Sequence, residues 1–388
     1  MEYNFSRTNT ESRARIALSS FTAESCGAPE FHAIITLPDS SEESPESQLD
    51  HIGQAARQLI SELGTYGARP VMARWLLSDV ANLAHLLPAL TLEPVAVSVV
   101  GQTPLNGSHA ALWLYFMAAS KVERADEFTV VATRNHRQHI FTASSSLDEP
   151  DSYAATSLLL SNYNGQLNDL DTSLASGCIR TWFFIRDIDY FYSGVVRGRN
   201  EVFSEIGLTP STHFIASTGI EGKPGNARVT VTMDAWAVTG LTDEQISYIQ
   251  APTHLNPTHE YGVAFERATA IDYADRRHLI ISGTASIDSN GQIVSPGDII
   301  GQTHRMIDNV EALLRNGKAK WNDVAYIIIY LRNIAHRTVV DRIFEDRFPE
   351  NVSAPRIIVE APVCRPGWLI EMECMAIAPA SDTRYEPF

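Results

Sequence analysis

The order of predicted strands and helices repeats three times along the 388 residues of this chain. Apolar residues at helical spacing, such as Ile52, Ala56 and Leu59, predict helices, and runs rich in β-branched and aromatic residues predict strands. Each unit contains about 120 residues, and a repeat of that length indicates tandem domains, because solenoids repeat every 20 to 50 residues. We therefore predict three α+β domains, at 1–122, 123–250 and 251–388.

Each predicted domain has a mixed sheet and two helices, and two helices cover only one face of such a sheet. The three open faces can be buried if the domains turn them towards a common axis. The repeat therefore predicts an intramolecular pseudo-trimer with clefts between neighbouring domains. Such a chain can be a monomer or can pair further into a homo-oligomer.

The charge of the chain limits its partners. A net charge of −16 argues against nucleic acid, because phosphate binding requires clustered lysines and arginines. A small anionic substrate would need local arginines to overcome this negative field. The sequence has neither a run of apolar residues long enough for a membrane helix nor a signal peptide, so we predict a cytoplasmic protein with no membrane partner.

No cofactor or metal is predicted. The four cysteines, Cys26, Cys178, Cys364 and Cys374, are scattered without a C-x-x-C pair, which favours reduced thiols over a disulfide framework or a zinc site. The histidines show no ligand spacing. Nucleotide-binding loops and the serine-hydrolase elbow are also absent from the sequence.

The stretch from Arg356 to Ile377 reads as two strands joined by a turn at 365–367, and a hairpin is the simplest interpretation. Alternation along the second strand places Glu371 and Glu373 on one face. A hairpin would also bring Arg356 close to one of these carboxylates. An ordinary surface ion pair is the structural alternative.

The third domain resembles the Rid (YjgF-like) family, whose members are homotrimers with ligand sites between subunits. The resemblance rests on the motifs Leu279-Ile-Ile-Ser-Gly-Thr284, Asn309-Val-Glu-Ala-Leu-Leu314 and Leu331-Arg-Asn333, and on the predicted hairpin. It implies that an arginine opening the penultimate strand and a glutamate fifteen residues later grip and protonate the substrate. Arg356 and Glu371 have this separation. The corresponding positions fall near Thr212 and Thr232 in the second domain, and the last strand of the first domain is apolar, so one complete cleft is expected.

The chain also resembles the chorismatases, a narrower group with Rid-like domains in one polypeptide. The similar segments are Phe265-Glu-Arg-Ala-Thr269, Ile281-Ser-Gly-Thr-Ala-Ser-Ile287, Gly297-Asp298, Gln302-Thr303, Arg180-Thr-Trp182 and Val196-Arg-Gly-Arg199. The segments at 217–222 and 186–189 depart from the pattern of that group. The resemblance implies release of pyruvate from chorismate, giving a hydroxybenzoate or a dihydroxycyclohexadiene carboxylate.

In that interpretation Glu371 is the general acid, and Arg356 and Arg180 hold the two carboxylates of the substrate. The expected lining of the site is completed by Gly283 and Thr284 as backbone donors, Trp182 and Tyr330 as walls, and Cys364. Some chorismatases that form 3-hydroxybenzoate also have a cysteine seven residues before the glutamate.

Each assignment has an alternative. Arg180 can pair with an acidic residue, Trp182 and Tyr330 can be core residues, and Cys364 can be a small buried apolar residue. Two other functions also stay open, namely a Rid-type deaminase of enamines or imines and a non-catalytic binder of small molecules.

Overall fold

The computed structural model describes residues 12–23, 27–38, 42–348 and 354–388, together with the backbone of residues 5–8. Its strands form three mixed sheets, one for each unit predicted from the sequence. The chain is therefore of the α+β class, as predicted. Cys26 lies outside the described residues.

The first unit contains seven strands and two helices. They are β1 (Phe5–Thr8), β2 (Arg15–Thr22), β3 (Pro29–Thr36), α1 (Pro45–Gly64), β4 (Ala68–Leu77), α2 (Val80–Leu83), β5 (Ala96–Gly101), β6 (Thr103–Pro104) and β7 (Ala110–Ala118). The sheet has the order β1-β2-β3-β7-β4-β5. Helix α1 begins where the Ser44 hydroxyl accepts from the amide of Ser47 and Pro45 takes the first helical position, a strong helix start.

The second unit has the order β12-β11-β13-β10-β9-β8 in its sheet. Its elements are β8 (Lys121–Arg124), β9 (Thr129–Arg134), β10 (Arg137–Ser146), α3 (Ser152–Asn168), β11 (Cys178–Ile185), α4 (Ile188–Glu205), β12 (Ala216–Glu221) and β13 (Val231–Val238). The predicted strand at 212–217 is shifted to β12. The Thr212 hydroxyl is the reason, because it donates to the carbonyl of Gly207 at 2.7 Å and holds a turn there.

The third unit carries the closing stretch. Its elements are β14 (Ile246–Ile249), β15 (Ala268–Asp272), β16 (Arg276–Ala285), α5 (Ile299–Asn316), β17 (Val324–Leu331), α6 (Arg337–Arg347), β18 (Arg356–Glu360) and β19 (Ile370–Pro379). The sheet order is β14-β15-β16-β19-β17-β18, and β6 of the first unit extends its far edge.

The predicted hairpin between β18 and β19 is wrong. Strand β17 lies between them, antiparallel to β19 and parallel to β18. In this register Tyr330 stands opposite Glu371, whereas Arg356 pairs with Ile327. The two residues expected to form one pair are therefore separated by an intervening strand.

The three sheets share one apolar core. Residues from all three units belong to it, including Met72, Trp113, Trp182, Ile280 and Met375. Helices α1 and α3 pack with separate clusters on the other faces of the first two sheets. Each sheet of these two units therefore buries both faces, one under its helices and one against its neighbours.

Backbone bonds also join the units. Strand β6 pairs with β18, Gly101 pairs with Lys223, and Ala216 pairs with Glu266. Each unit consequently contacts both of the others, and the contacts between the second and third units place β12 beside the residues that precede β15.

Candidate functional site

A buried carboxyl group lies in a cavity between the second and third units. Glu371, near the start of β19, is 5% exposed and lines this cavity with residues of α4, β12 and β16 and of the segments 261–267 and 364–368. The cavity measures about 30 Å³. Entry of a ring-sized ligand therefore requires side chains at its mouth to move, and Tyr261 and Arg365, both only partly buried, lie there.

Glu371 is an acid that stays protonated near neutral pH. Burial raises the pKa of its carboxyl group to about 8, the neighbouring Glu373 contributes to the rise, and Arg180 and Arg267 oppose the shift. Loss of water disfavours the charged form, so this carboxyl group holds its proton at neutral pH. The proton is then available for transfer to a bound substrate. Within the described part of the chain, no side chain or backbone amide forms a hydrogen bond with it.

Gly283 permits the position of this acid. A Cβ atom at residue 283 would lie 2.2 Å from Oε1 of Glu371 and 3.1 Å from Cγ2 of Thr218. Any larger residue would therefore push the carboxyl group away. The amide of Gly283, which was expected to bind a ligand, instead donates to the Thr218 hydroxyl at 2.9 Å.

Three arginines surround the cavity that contains Glu371. Arg199 of α4 is 2% exposed, and its Nε and Nη2 have no hydrogen-bond partner among the described residues. Arg267 donates to the carbonyl of Asn256, and the guanidinium of Arg365 lies 4.7 Å from the ring centroid of Tyr261. Buried cations with unused donors favour an anionic ligand, and this cluster supplies the local positive charge that the net charge of −16 requires.

Cys364 also lines the cavity. Burial raises the pKa of its thiol to about 12, and Glu371 contributes to the same shift. The neighbouring Tyr192 side chain opposes this rise in pKa. At neutral pH this sulfur is therefore a protonated thiol and a poor nucleophile.

The structure places Arg180 and Trp182 outside the cavity. Nη2 of Arg180 and Nε1 of Trp182 each donate to the carboxylate of Glu373 at 2.8 Å. Tyr330 is fully buried within the shared core and close to Glu373, and it does not line the cavity. Arg180 therefore pairs with an acidic residue, which was the alternative to a binding role. Trp182 and Tyr330 occupy core positions, which was the alternative for them.

Glu373 belongs to a buried ionic cluster contributed by all three units. Arg74 of the first unit lies 2.8 Å from Asp234 and 3.7 Å from Glu373, and Arg180 lies 2.8 Å from Glu373. The side chains of all four residues are at most 1% exposed. Two cations and two anions balance in charge here, although Nη1 of Arg74 and Nε and Nη1 of Arg180 have no hydrogen-bond partner among the described residues. None of these residues lines the cavity that contains Glu371.

Arg356 lines a different cavity, of about 370 Å³, between the first and third units. Its guanidinium lies 5.7 Å from the ring centroid of Phe344 in α6. The prediction that Arg356 and Glu371 share a cleft is therefore corrected, because the intervening strand directs them to different interfaces. Thr284 also lies outside the cavity that contains Glu371, and its buried hydroxyl donates to the carbonyl of Ser282.

The sequence predictions missed several residues around Glu371. Arg199 and Arg267 lay within quoted motifs but received no role, because a motif does not show which side chains point into one cleft. Thr218 lay in a segment that departed from the expected pattern. Arg365 lies only a few residues before Glu371 in the sequence, and this proximity could have indicated that Arg365 lines the same cavity.

No group of three or more His, Cys, Asp or Glu side chains among the described residues could hold a metal ion. No helix in the described ranges is both long and apolar enough to cross a membrane.

The fold is also found in a solved structure. A chorismatase crystal structure superposes with a TM-score of 0.62 and 20% identity, covering 79% of this chain and 92% of that chain. Three mixed sheets around one core, with a cavity between the second and third units, place the chain in the α+β fold class of that chorismatase structure.

The third unit identifies the family. The family model described as Endoribonuclease L-PSP matches residues 265–378. A RutC family protein of Pyrococcus abyssi is 34% identical over 99 residues, which are 25% of this chain and 76% of that protein. The 3-aminoacrylate deaminase RutC of Acinetobacter baylyi is 29% identical over 98 residues, 25% of this chain and 77% of that protein. The chain belongs to the Rid family, which includes these RutC proteins, as the motifs of the third unit predicted.

Proposed function

We propose that this protein removes pyruvate from chorismate, with Glu371 as the general acid. The observation that carries the proposal is a carboxyl group with a pKa of about 8 in a cavity surrounded by three arginines. Chorismate is a dianion with an enolpyruvyl ether, so it needs both cationic groups and a proton donor. The chorismatase fold supports the proposal at the level of architecture.

The reaction begins with transfer of the Glu371 proton to the terminal methylene carbon of the enolpyruvyl group. The adjacent carbon becomes an oxocarbenium ion, whose charge the Glu371 carboxylate stabilises. If water adds to that carbon, the hemiketal collapses to pyruvate and a dihydroxycyclohexadiene carboxylate. If no water is consumed overall, the products are pyruvate and a hydroxybenzoate, whose atoms together equal those of chorismate.

The three sheet units are, in this proposal, tandem copies of one Rid-like module with boundaries at 1–122, 123–250 and 251–388, closed as an intramolecular pseudo-trimer. The sheet registers support it. Ala285 and Ser146 follow equivalent irregularities in β16 and β10, and they stand opposite Glu371 and Thr232 respectively. The second module therefore has a threonine where the third has the acid.

A Rid-type deaminase is the second candidate. The relative named 3-aminoacrylate deaminase supports it, and an enamine also gains a proton at carbon when it is hydrolysed. A monocarboxylate of that kind would use one cation, whereas three arginines surround Glu371 in this chain. The cluster therefore favours the larger dianion.

The test is incubation of the purified protein with chorismate. We expect release of pyruvate, measured with lactate dehydrogenase and NADH, and a matching amount of a cyclic carboxylic acid in the chromatogram. A parallel reaction with an enamine monocarboxylate, read out as ammonia, tests the second candidate. Ammonia release without any pyruvate from chorismate would overturn the proposal in favour of the deaminase.

Two arginine substitutions test which cavity binds the substrate. Arg199→Leu removes a buried cation with unused donors, and we expect the KM for chorismate to rise about 10- to 100-fold, the scale of a hydrogen bond to a charged group. Arg356→Leu, at the other cavity, should keep the KM within about threefold of the parent value, since Arg356 does not line the cavity that contains Glu371. Steady-state kinetics of both variants measure this. The reverse order of effects would place the substrate in the cavity that contains Arg356.

A further inference from the structure

The hydroxyl group of Thr218 accepts two hydrogen bonds. Nη2 of Arg180 donates to it at 2.5 Å, and the backbone amide of Gly283 donates to it at 2.9 Å. A threonine hydroxyl has one proton and two lone pairs. Because both lone pairs are used by N–H donors, the remaining capacity of this group is donation.

No described residue accepts the Thr218 proton. Thr218 is 1% exposed in β12, and it lines the cavity that contains Glu371. A buried donor without a partner costs free energy, and an acceptor bound in the cavity that Thr218 lines would supply one. The cavity is therefore provided with an oriented neutral donor in addition to its arginines.

The two groups that donate to the Thr218 hydroxyl, Arg180 and Gly283, are held in place. Arg180 is held by the carboxylate of Glu373 at 2.8 Å, inside the ionic cluster described above. Gly283 brings Thr218 and Glu371 to the same small space, since a Cβ atom there would meet both side chains. A ligand atom that accepts from Thr218 consequently lies next to the group that Glu371 protonates.

We propose that Thr218 donates a hydrogen bond to the ligand carboxylate adjacent to the carbon that Glu371 protonates, with Arg180 and Glu373 as positioning residues that act through Thr218. The inference rests on the proposed function and adds a substrate contact from the second unit. A carboxylate is the acceptor of choice, because a hydroxyl that already accepts from a cationic N–H is a polarised donor. In an enolpyruvyl ether the carboxylate is bonded to the carbon next to the methylene group.

The substitutions Thr218→Val and Thr218→Ser test this contact. The valine has the same shape and lacks the hydroxyl, so we expect the KM for chorismate to rise about 10- to 100-fold with kcat within about fivefold, as for a lost hydrogen bond to an anion. The serine keeps the hydroxyl and should restore the KM to within about threefold of the parent value.

Thr303→Val is the matched control. It also removes a buried threonine hydroxyl, one that donates to the carbonyl of Ile299 at 2.7 Å in helix α5, outside the cavity. Its KM should equal that of the parent. An unchanged KM in Thr218→Val would overturn the proposal, and so would a serine variant as impaired as the valine variant, because packing of the methyl group would then explain the loss.

Calorimetry distinguishes failure of this proposal from failure of the proposed function. Chorismate is titrated into three proteins that carry Glu371→Gln, one with no further change, one with Thr218→Val and one with Thr218→Ser. We expect Kd to follow the order predicted for KM. Binding in that order without pyruvate release by the parent would overturn the proposed function and support the Thr218 contact. No binding of chorismate to any of these proteins would overturn both.

Discussion

Replacing Glu371 with glutamine is expected to lower kcat for pyruvate release about a hundredfold or more, the usual scale for a lost general acid. Glutamine has nearly the shape of a protonated glutamate but cannot give up a proton. Binding of chorismate should change little, because the arginines around the cavity are untouched. The coupled lactate dehydrogenase assay measures the effect.

The pH dependence supplies an independent signature of the same residue. Since burial raises the pKa of the Glu371 carboxyl group to about 8, the acid form is present below this value and is lost as the pH rises through it. The parent should therefore lose activity above pH 8, and the residual activity of Glu371→Gln should not show this decline. Glu360→Gln, on strand β18 beyond the intervening strand β17, is the control and should behave as the parent. Parent-like kcat in the Glu371→Gln variant would exclude this residue as the acid.

Replacing Glu373 with leucine is expected to destabilise the protein by about 3–5 kcal/mol, the scale for removing one partner of a buried ion pair. Glu373 accepts from Arg180 and Trp182 at 2.8 Å each and faces Arg74 at 3.7 Å. Without its carboxylate, Arg74 keeps Asp234 as a partner, whereas the buried guanidinium group of Arg180 loses its ion pair. Urea unfolding followed by tryptophan fluorescence measures the loss.

An exposed ion pair provides the comparison. Arg228 and Asp148 lie 2.7 Å apart, with side chains 74% and 51% exposed. Asp148→Asn should change the free energy of unfolding by at most about 1 kcal/mol, because water and salt screen such pairs. If Glu373→Leu unfolded at the same urea concentration as the parent, the ionic cluster would not hold the three units together.

Local patterns in the sequence predicted much of the fold. The strand at 324–331 has the bounds predicted for it, and the strand predicted at 369–377 is observed at 370–379. These predictions succeeded because the periodicity of side chains is a property of the strand itself. The Rid family membership could likewise be predicted from contiguous motifs in the third unit.

Contacts between distant elements could not be predicted in the same way. The hairpin was wrong because turn residues at 365–367 do not show that β17 inserts between β18 and β19. Arg180 was expected at the ligand, and its true partner could not be foreseen because Glu373 lies 193 residues away in another unit. Side-chain partners across units depend on how the sheets pack, which no local pattern records.

The most direct test of the account is a crystal structure of the Glu371→Gln protein with chorismate bound. We predict the ligand between the second and third units, with its methylene carbon beside the introduced glutamine side chain and its carboxylates near Arg199 and Thr218. Chorismate in the cavity that contains Arg356, with the space around residue 371 unchanged, would contradict the account.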